Sequence, residues 1–242
     1  LENVSQTNFS SIENQKLCSL FQIIRAAFNN PITRPSFTND KILNLISINQ
    51  EFICYVEDQR WKTALSLLSN KNKTVNFKPL IDLASQFIMK DFNQVHQYHC
   101  FIIDFLCKTM NASYEPQLYH HLFKLMQTFS ECSLLHLSIL AFFEKALDKK
   151  CIDEIDIQMI GNQVFQEVQY TQLGSVFHAT SMKLFSVFVK NGKKNKKVKK
   201  SLEKISGFYG YANNQHKSYK KVISKRYGNR SSKRLSLFKS SQ

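Results

Sequence analysis

Glycine and proline are scarce in this chain: its 242 residues include 6 and 4 of them, against average usage of roughly 7% and 5%. That shortage excludes collagen-like, Gly/Ser-linker and many-turned β architectures. No glycine precedes Gly161, so a hairpin turn needing positive φ has no preferred residue over two thirds of the chain. Long apolar runs are missing too. The longest, Leu134 to Phe143, is interrupted by His136 and Ser138 and falls well short of the ~20 residues a bilayer requires, so no membrane span is expected. The six cysteines, at 18, 54, 100, 107, 132 and 151, form no Cys-x-x-Cys pair and sit mostly in apolar stretches. They read as buried reduced thiols rather than a disulfide framework. Five Asn-x-Ser/Thr triplets, at Asn3, Asn8, Asn72, Asn111 and Asn229, are what an Asn- and Ser-rich chain produces by composition.

Acids are missing from one part of the molecule. Residues 190–242 carry 17 Lys and Arg against the single acid Glu203, which leaves 16 bases and 17 acids for the first 189 residues. The formal charge of +15 is therefore a property of the C-terminal segment, and only that segment is expected to attract polyanions.

What is present in quantity is helical periodicity. Ser10 with Glu13 makes a capping box, after which Leu17, Leu20/Phe21, Ile24 and Phe28 recur on one face until Asn29-Asn30-Pro31. A second helix is expected from Thr38–Asp40, with Ile42, Leu45/Ile46, Phe52/Ile53 and Val56 on its stripe, and a short third one around Trp61, Leu65 and Leu68. Lys78-Pro79 and Glu115-Pro116 open the fourth and sixth, because proline at the first helical position loses no hydrogen bond. Between them the fifth carries Val95, Tyr98, Ile102 and Phe105/Leu106. A seventh spans about Ser133 to Leu147, an eighth starts near Asp153 with Glu154 and Asp156 in its first turn, and a ninth runs from about Thr171 to Lys190 and stops at Asn191-Gly192.

Such a series predicts an all-α fold of antiparallel helix pairs, arranged either as a short solenoid or as a globular helix bundle. Pro35, Pro79 and Pro116 stand before or at the start of successive units at spacings of 44 and 37, near the period of about 40 residues of HEAT and armadillo units. Over residues 10 to 190 the sequence resembles ARM/HEAT-type helical repeats. The expected organisation is a helical-repeat body over 1–192, a basic segment with one or two helices over 193–227, and a disordered basic tail over 228–242.

The basic segment holds Lys193, Lys194, Lys196, Lys197, Lys199 and Lys200 as a solvated run, then a candidate amphipathic helix opposing Tyr219, Val222/Ile223 and Tyr227 to Lys217, Lys220, Lys221, Lys225 and Arg226. These cations are candidate polyanion contacts, and Lys196-Lys197-Val198-Lys199 also fits a nuclear-import signal. Phe208, Tyr209, Tyr211, Tyr219 and Tyr227 lie among them as candidate base-stacking side chains. Lys233-Arg234-Leu235-Ser236 places Ser236 in a basophilic-kinase context, where a phosphate would oppose the local positive field.

Few residues suggest chemistry. His96, His99, Cys100 and Cys107 are the only metal-like cluster, and no second half-motif completes a zinc site. His120-His121 and His178 come with no nucleophile elbow, Walker motif or dinucleotide fingerprint. No catalytic residue, metal or cofactor is therefore assigned. Gly207-Phe208-Tyr209-Gly210-Tyr211 has a Gly-x-x-Gly core, but without the flanking strands of a nucleic-acid clamp it reads as a turn pinned by aromatic packing. With Gly174-Ser175-Val176-Phe177-His178 before it, the same stretch is similar in order to two elements of SAPS-type regulatory subunits of protein phosphatases. That resemblance implies binding and targeting of a catalytic subunit. The expectation is a non-enzymatic scaffold or regulatory subunit for a protein partner, cytoplasmic or nuclear, with RNA or DNA binding through the basic segment as the alternative.

Overall fold

A computed structural model describes residues 10–37, 40–69, 76–111, 114–170, 175–218 and 221. These residues are mostly helical and include no strand: α1 (Ser11–Asn29), α2 (Arg34–Phe37), α3 (Asp40–Ile46), α4 (Cys54–Ser69), α5 (Lys78–Ile88), α6 (Gln97–Thr109), α7 (Pro116–Thr128), α8 (Ser133–Asp148), α9 (Glu154–Tyr170), α10 (Val176–Lys194), α11 (Lys196–Glu203) and α12 (Phe208–Tyr211), ending in a π-helical turn at Ala212–His216. The all-α expectation holds. No helix among the described residues is long and apolar enough to cross a membrane.

The first helix begins as its sequence dictates. The Ser10 hydroxyl accepts the Glu13 N–H at 3.2 Å, and the Glu13 carboxylate accepts the Ser10 N–H at 2.8 Å, so two of the donors orphaned at a helix start are paired reciprocally. Those hydrogen bonds hold the Glu13 carboxyl below its ordinary pKa. Phe21, Ile24 and Phe28 then turn inward together at the 3.6-residue period.

The second and third expected helices are divided differently. The chain leaves α3 after Ile46, crosses 47–53 without helix and starts α4 at Cys54, so Val56 and Trp61 share one helix and Phe52 belongs to the break. A buried ion pair holds the break open. Arg60 Nε donates to the Ile46 carbonyl at 2.7 Å and Nη1 to that of Gln50 at 3.0 Å, while Nη2 donates to that of Ile48. Glu57, 3.3 Å from the guanidinium, accepts the Phe52 N–H and the Trp61 indole N–H, each at 2.9 Å. The backbone groups that a continuous helix would have paired are thus satisfied by side chains.

The ninth expected helix also differs. It starts at Val176, where the Ser175 hydroxyl accepts the His178 N–H at 3.0 Å, and it continues through Asn191 and Gly192, both buried. Here glycine is not a stop. A Cβ on Gly192 would lie 2.6 Å from the Tyr209 hydroxyl and 3.3 Å from a Leu202 methyl carbon, so the missing side chain lets α11 and the following turn close onto α10. Asn195 does the stopping: its N–H donates to the Asn191 carbonyl, and its side-chain oxygen accepts the Lys197 N–H at 3.0 Å, ending one helix and starting the next. α6, too, starts two residues later than its apolar stripe suggested, leaving Val95 outside it.

Each of the helices α1, α4, α6, α8 and α10 packs on the next in that order. α7 packs on α9 and α9 on α11, while α5 meets α6, α7 meets α8, and α10 meets both α9 and α11. The core runs along these contacts. Trp61 meets Phe105 at 5.8 Å between ring centroids, and the Tyr119 hydroxyl donates to the Cys151 carbonyl at 2.7 Å. At the C-terminal end Phe185 lies 4.6 Å from Phe208 and 4.9 Å from the His216 ring. Gly207, at φ 80°, supplies the left-handed turn that brings Phe208 into this cluster.

The fit at Gly192 is testable. Gly192→Ala should destabilise the fold by about 1–2 kcal/mol despite alanine's better helix propensity. Tyr209→Phe removes a hydroxyl that is buried without a partner and should restore most of that loss in the double variant. Thermal melts of the three variants check it.

Candidate binding surface

The lysines singled out from the sequence stand on ordered helices. Lys193 and Lys194 are exposed in the last turn of α10, and Lys196, Lys197, Lys199 and Lys200 are exposed on α11, whose Val198, Ser201 and Leu202 are buried. The expected solvated run is therefore half of an amphipathic helix docked on α9 and α10. Lys196, Lys197 and Lys199, which also fit an import signal, are helical here. Lys199 lies 3.6 Å from Glu203; Lys217 and Lys221 are exposed. Lys220, Lys225, Arg226 and Ser236 fall outside the described residues.

The local electrostatics of α11 work against the helix itself. Lys196 and Lys197 occupy its first turn, at the positive end of the helix dipole, and Lys196 and Lys200 repel at i, i+4. Burial of Val198 and Leu202, 1% and 0% exposed, offsets this cost. A Lys-dense face on a packed helix spends stability on charge density.

Of the aromatics expected as base-stacking side chains, Phe208, Tyr209 and Tyr211 are packed into the fold. Phe208 is buried, and Tyr211 packs its ring on Phe165 and Phe185 while its hydroxyl donates to the Val168 carbonyl at 3.0 Å. Tyr209 contacts Phe208 edge-on. These rings pin the turn at Gly207, as its reading as an aromatic-packed turn anticipated; Tyr219 and Tyr227 lie outside the described residues.

The histidines and cysteines are distributed among structural contacts. His96 caps α6, and His99 Nδ1 accepts the His96 N–H at 2.9 Å with its ring stacked 4.0 Å from Phe92. Burial pushes the His99 pKa down to about 4, against a weaker upward pull from the His96 backbone. The neighbouring Cys100 thiol is driven up to about 11, chiefly by burial, so it is a core group rather than a thiolate ligand. Cys107 lies against the Ala141 carbonyl. His120 Nε2 meets Asp156 at 3.2 Å, bridging α7 and α9. His136 donates through Nε2 to the Met126 and Phe129 carbonyls, each at 3.0 Å. Among the described residues no three His, Cys, Asp or Glu side chains are grouped as metal ligands. Phe177 and His178, of the element similar to SAPS-type subunits, are buried, and Phe177 packs on Phe123 and His136.

Two features were missed in the sequence. One is the Glu57–Arg60 pair, whose only trace is a charged i, i+3 couple beside a tryptophan. The other is the apolar side chains that face outward. Ile12 and Ile23 are 64% and 59% exposed on the side of α1 opposite its buried stripe, with Leu20 beside them, and Ile155 and Met159 are exposed on α9. Ile12 and Ile23 signal this by lying off the periodic stripe of α1, visible once the stripe is drawn, whereas Leu20, expected on that stripe, is exposed. Compared with protein-family models, curated proteins and solved structures, the chain matches none of them.

Proposed function

We propose that the chain is a short α-solenoid of the ARM/HEAT kind that works as a non-enzymatic scaffold or regulatory subunit, holding a protein partner on its surface. The order of helix contacts supports the solenoid: α1, α4, α6, α8 and α10 each pack on the next, and no packing of comparable extent joins α1 to α8 or α10. A stack whose units touch only near neighbours presents a long, preorganised face.

The observation that carries the binding role is the outer face of α1. Ile12, Leu20 and Ile23 are large apolar side chains exposed along one side of α1, with Gln15, Lys16 and Ser19 between them. Large apolar side chains grouped with polar ones on one exposed helix face are a mark of protein-interaction sites. The partner suggested by the SAPS-type resemblance is a protein phosphatase catalytic subunit.

Gel filtration of the chain mixed with phosphatase catalytic subunits, alongside affinity capture with partners identified by mass, tests this. A stoichiometric partner should be retained by the wild-type chain and lost, at least tenfold, by Ile12→Glu/Ile23→Glu, whose exposed positions leave the thermal melt unchanged. Retention unaffected by both substitutions overturns the site. Turnover of an ester, phosphate or nucleotide substrate abolished by one point change overturns the non-enzymatic reading.

A further inference from the structure

The corner between α10 and α11 gathers Lys193, Lys194, Lys196, Lys197, Lys200 and Lys204, all exposed, and among the described residues no carboxylate lies within ion-pair distance of any of the six. We infer that this corner is a contact site for the phosphate backbone of double-stranded nucleic acid, engaged without reading base sequence.

The geometry selects among polyanions. α11 is eight residues long, about 12 Å at 1.5 Å per residue. A duplex presents one charge per roughly 1.7 Å of axis with both strands counted, so a face of this length meets a few phosphates. Lys196, Lys197 and Lys200 on α11, with Lys193 and Lys194 at the end of α10 and Lys204 just past α11, supply cations enough to meet these phosphates and release bound counterions on contact. Lysine flexibility suits point-charge contacts to phosphate, whereas base reading favours the planar donors of Arg, Asn and Gln, and Asn195, between Lys194 and Lys196, is committed to capping α11.

Other polyanions fit less well. An amphipathic helix that lies on a membrane needs its apolar side free to enter the lipid, and the apolar side of α11, Val198 and Leu202, is buried in the protein. Single strands are held by stacking on aromatic rings, and Phe208 and Tyr211 are engaged inside the fold. Protein interfaces are depleted in lysine and organised around aromatic or Arg anchors, which this corner lacks. The site is independent of the protein-binding face of α1, at the other end of the contact series.

Fluorescence anisotropy of the full chain with mixed-sequence 20-bp DNA and RNA duplexes tests the inference. Wild type should bind with log K falling linearly in log salt, about 0.9 for each phosphate neutralised, and without preference between scrambled sequences. Replacing all six lysines with Gln should cut the salt slope by about three or more and the affinity by at least about tenfold, with an unchanged thermal melt. Replacing Arg230, Lys233, Arg234 and Lys239 with Gln separates the contribution of the C-terminal cations and should leave most of the binding. A six-lysine variant that binds like wild type overturns the site, as does a wild-type chain that sediments with phosphatidylserine vesicles but does not bind either duplex.

Discussion

Replacing Arg60 with Met should lower stability by about 3–5 kcal/mol, because removing one partner of a buried ion pair strands the other charge; for a chain of this size that is a fall in Tm of about 10–15 °C. Arg60 is fully buried and Glu57 is 1% exposed. Burial pushes the Glu57 carboxyl above its ordinary pKa, against the downward pull of Arg60 and of the Phe52 and Trp61 donors. The guanidinium does more than neutralise it. It fills the carbonyls of Ile46, Ile48 and Gln50 and lies 5.2 Å from the Phe52 ring centroid and 5.6 Å from that of Phe87. A pure ion pair could be exchanged for apolar side chains at little cost. Here Glu57→Gln/Arg60→Met should recover less than half of the loss, since the buried Ile46 carbonyl still loses its guanidinium donor, at about 1–3 kcal/mol for such a group, and the Ile48 and Gln50 carbonyls lose the charged donor that ties them to α4. Arg60→Lys should resemble Arg60→Met, because one ammonium cannot span three carbonyls. Urea denaturation of the four proteins decides the matter: a double variant within about 1 kcal/mol of wild type would show that Arg60 acts only as a counter-ion.

The same pair shows where sequence reading succeeds and where it stops. Ser10 and Glu13 cap α1 in sequence and in space, and Pro79 and Pro116 open α5 and α7, because these signals act over one helical turn. The apolar stripes of α7 and α8 are likewise local. The break between α3 and α4 is not, since it depends on Arg60 reaching back 14 residues to Ile46, and periodicity runs straight through it. Gly192 misleads for the same reason. As a local symbol it means a helix end, but Tyr209 and Leu202 crowd the space where its Cβ would be, and they arrive only when α11 folds back. The lysine run was legible as charge but not as shape: the pattern Val198, Ser201 and Leu202 is an amphipathic face of two turns, hidden by the lysines around it. Outward-facing isoleucines such as Ile12 and Ile23 are missed by a rule that simply sends apolar residues inside and show only against the drawn stripe of α1.

Acidification from pH 7 to 5 should cost the wild-type chain about 2 kcal/mol through His99 alone. Its ordinary pKa of 6.5 in the unfolded chain drops to about 4 in the fold, so between these values the unfolded state binds the proton that the folded state refuses, and stability falls as pH falls. The sign is that of a depressed pKa: the contribution is complete above 6.5, declines through the window from 6.5 to 4, and flattens below it. The cause is geometric as well as dielectric. Neutral His99, carrying its proton on Nε2, uses Nδ1 to accept the His96 N–H that starts α6; protonation would convert that acceptor into a donor and leave the helix start unpaired. The ring is also stacked on Phe92 at 4.0 Å and in tilted contact with Tyr98 at 4.1 Å, where an imidazolium loses its water. His121 and His136 are shifted downward by burial as well and add to the same slope. Asp58, Asp104 and Asp156 are shifted upward by burial; they take up protons in the fold before they do so unfolded and work in the opposite sense near the lower end of the window. Comparison with His99→Gln removes these shared terms. Glutamine keeps an acceptor and has no proton to gain, so the wild type should lose about 4–8 °C more in Tm than the variant between pH 7 and 5, while the variant is the less stable of the two at pH 7. Parallel Tm profiles for the two proteins across that range would show that His99 is not the group that titrates.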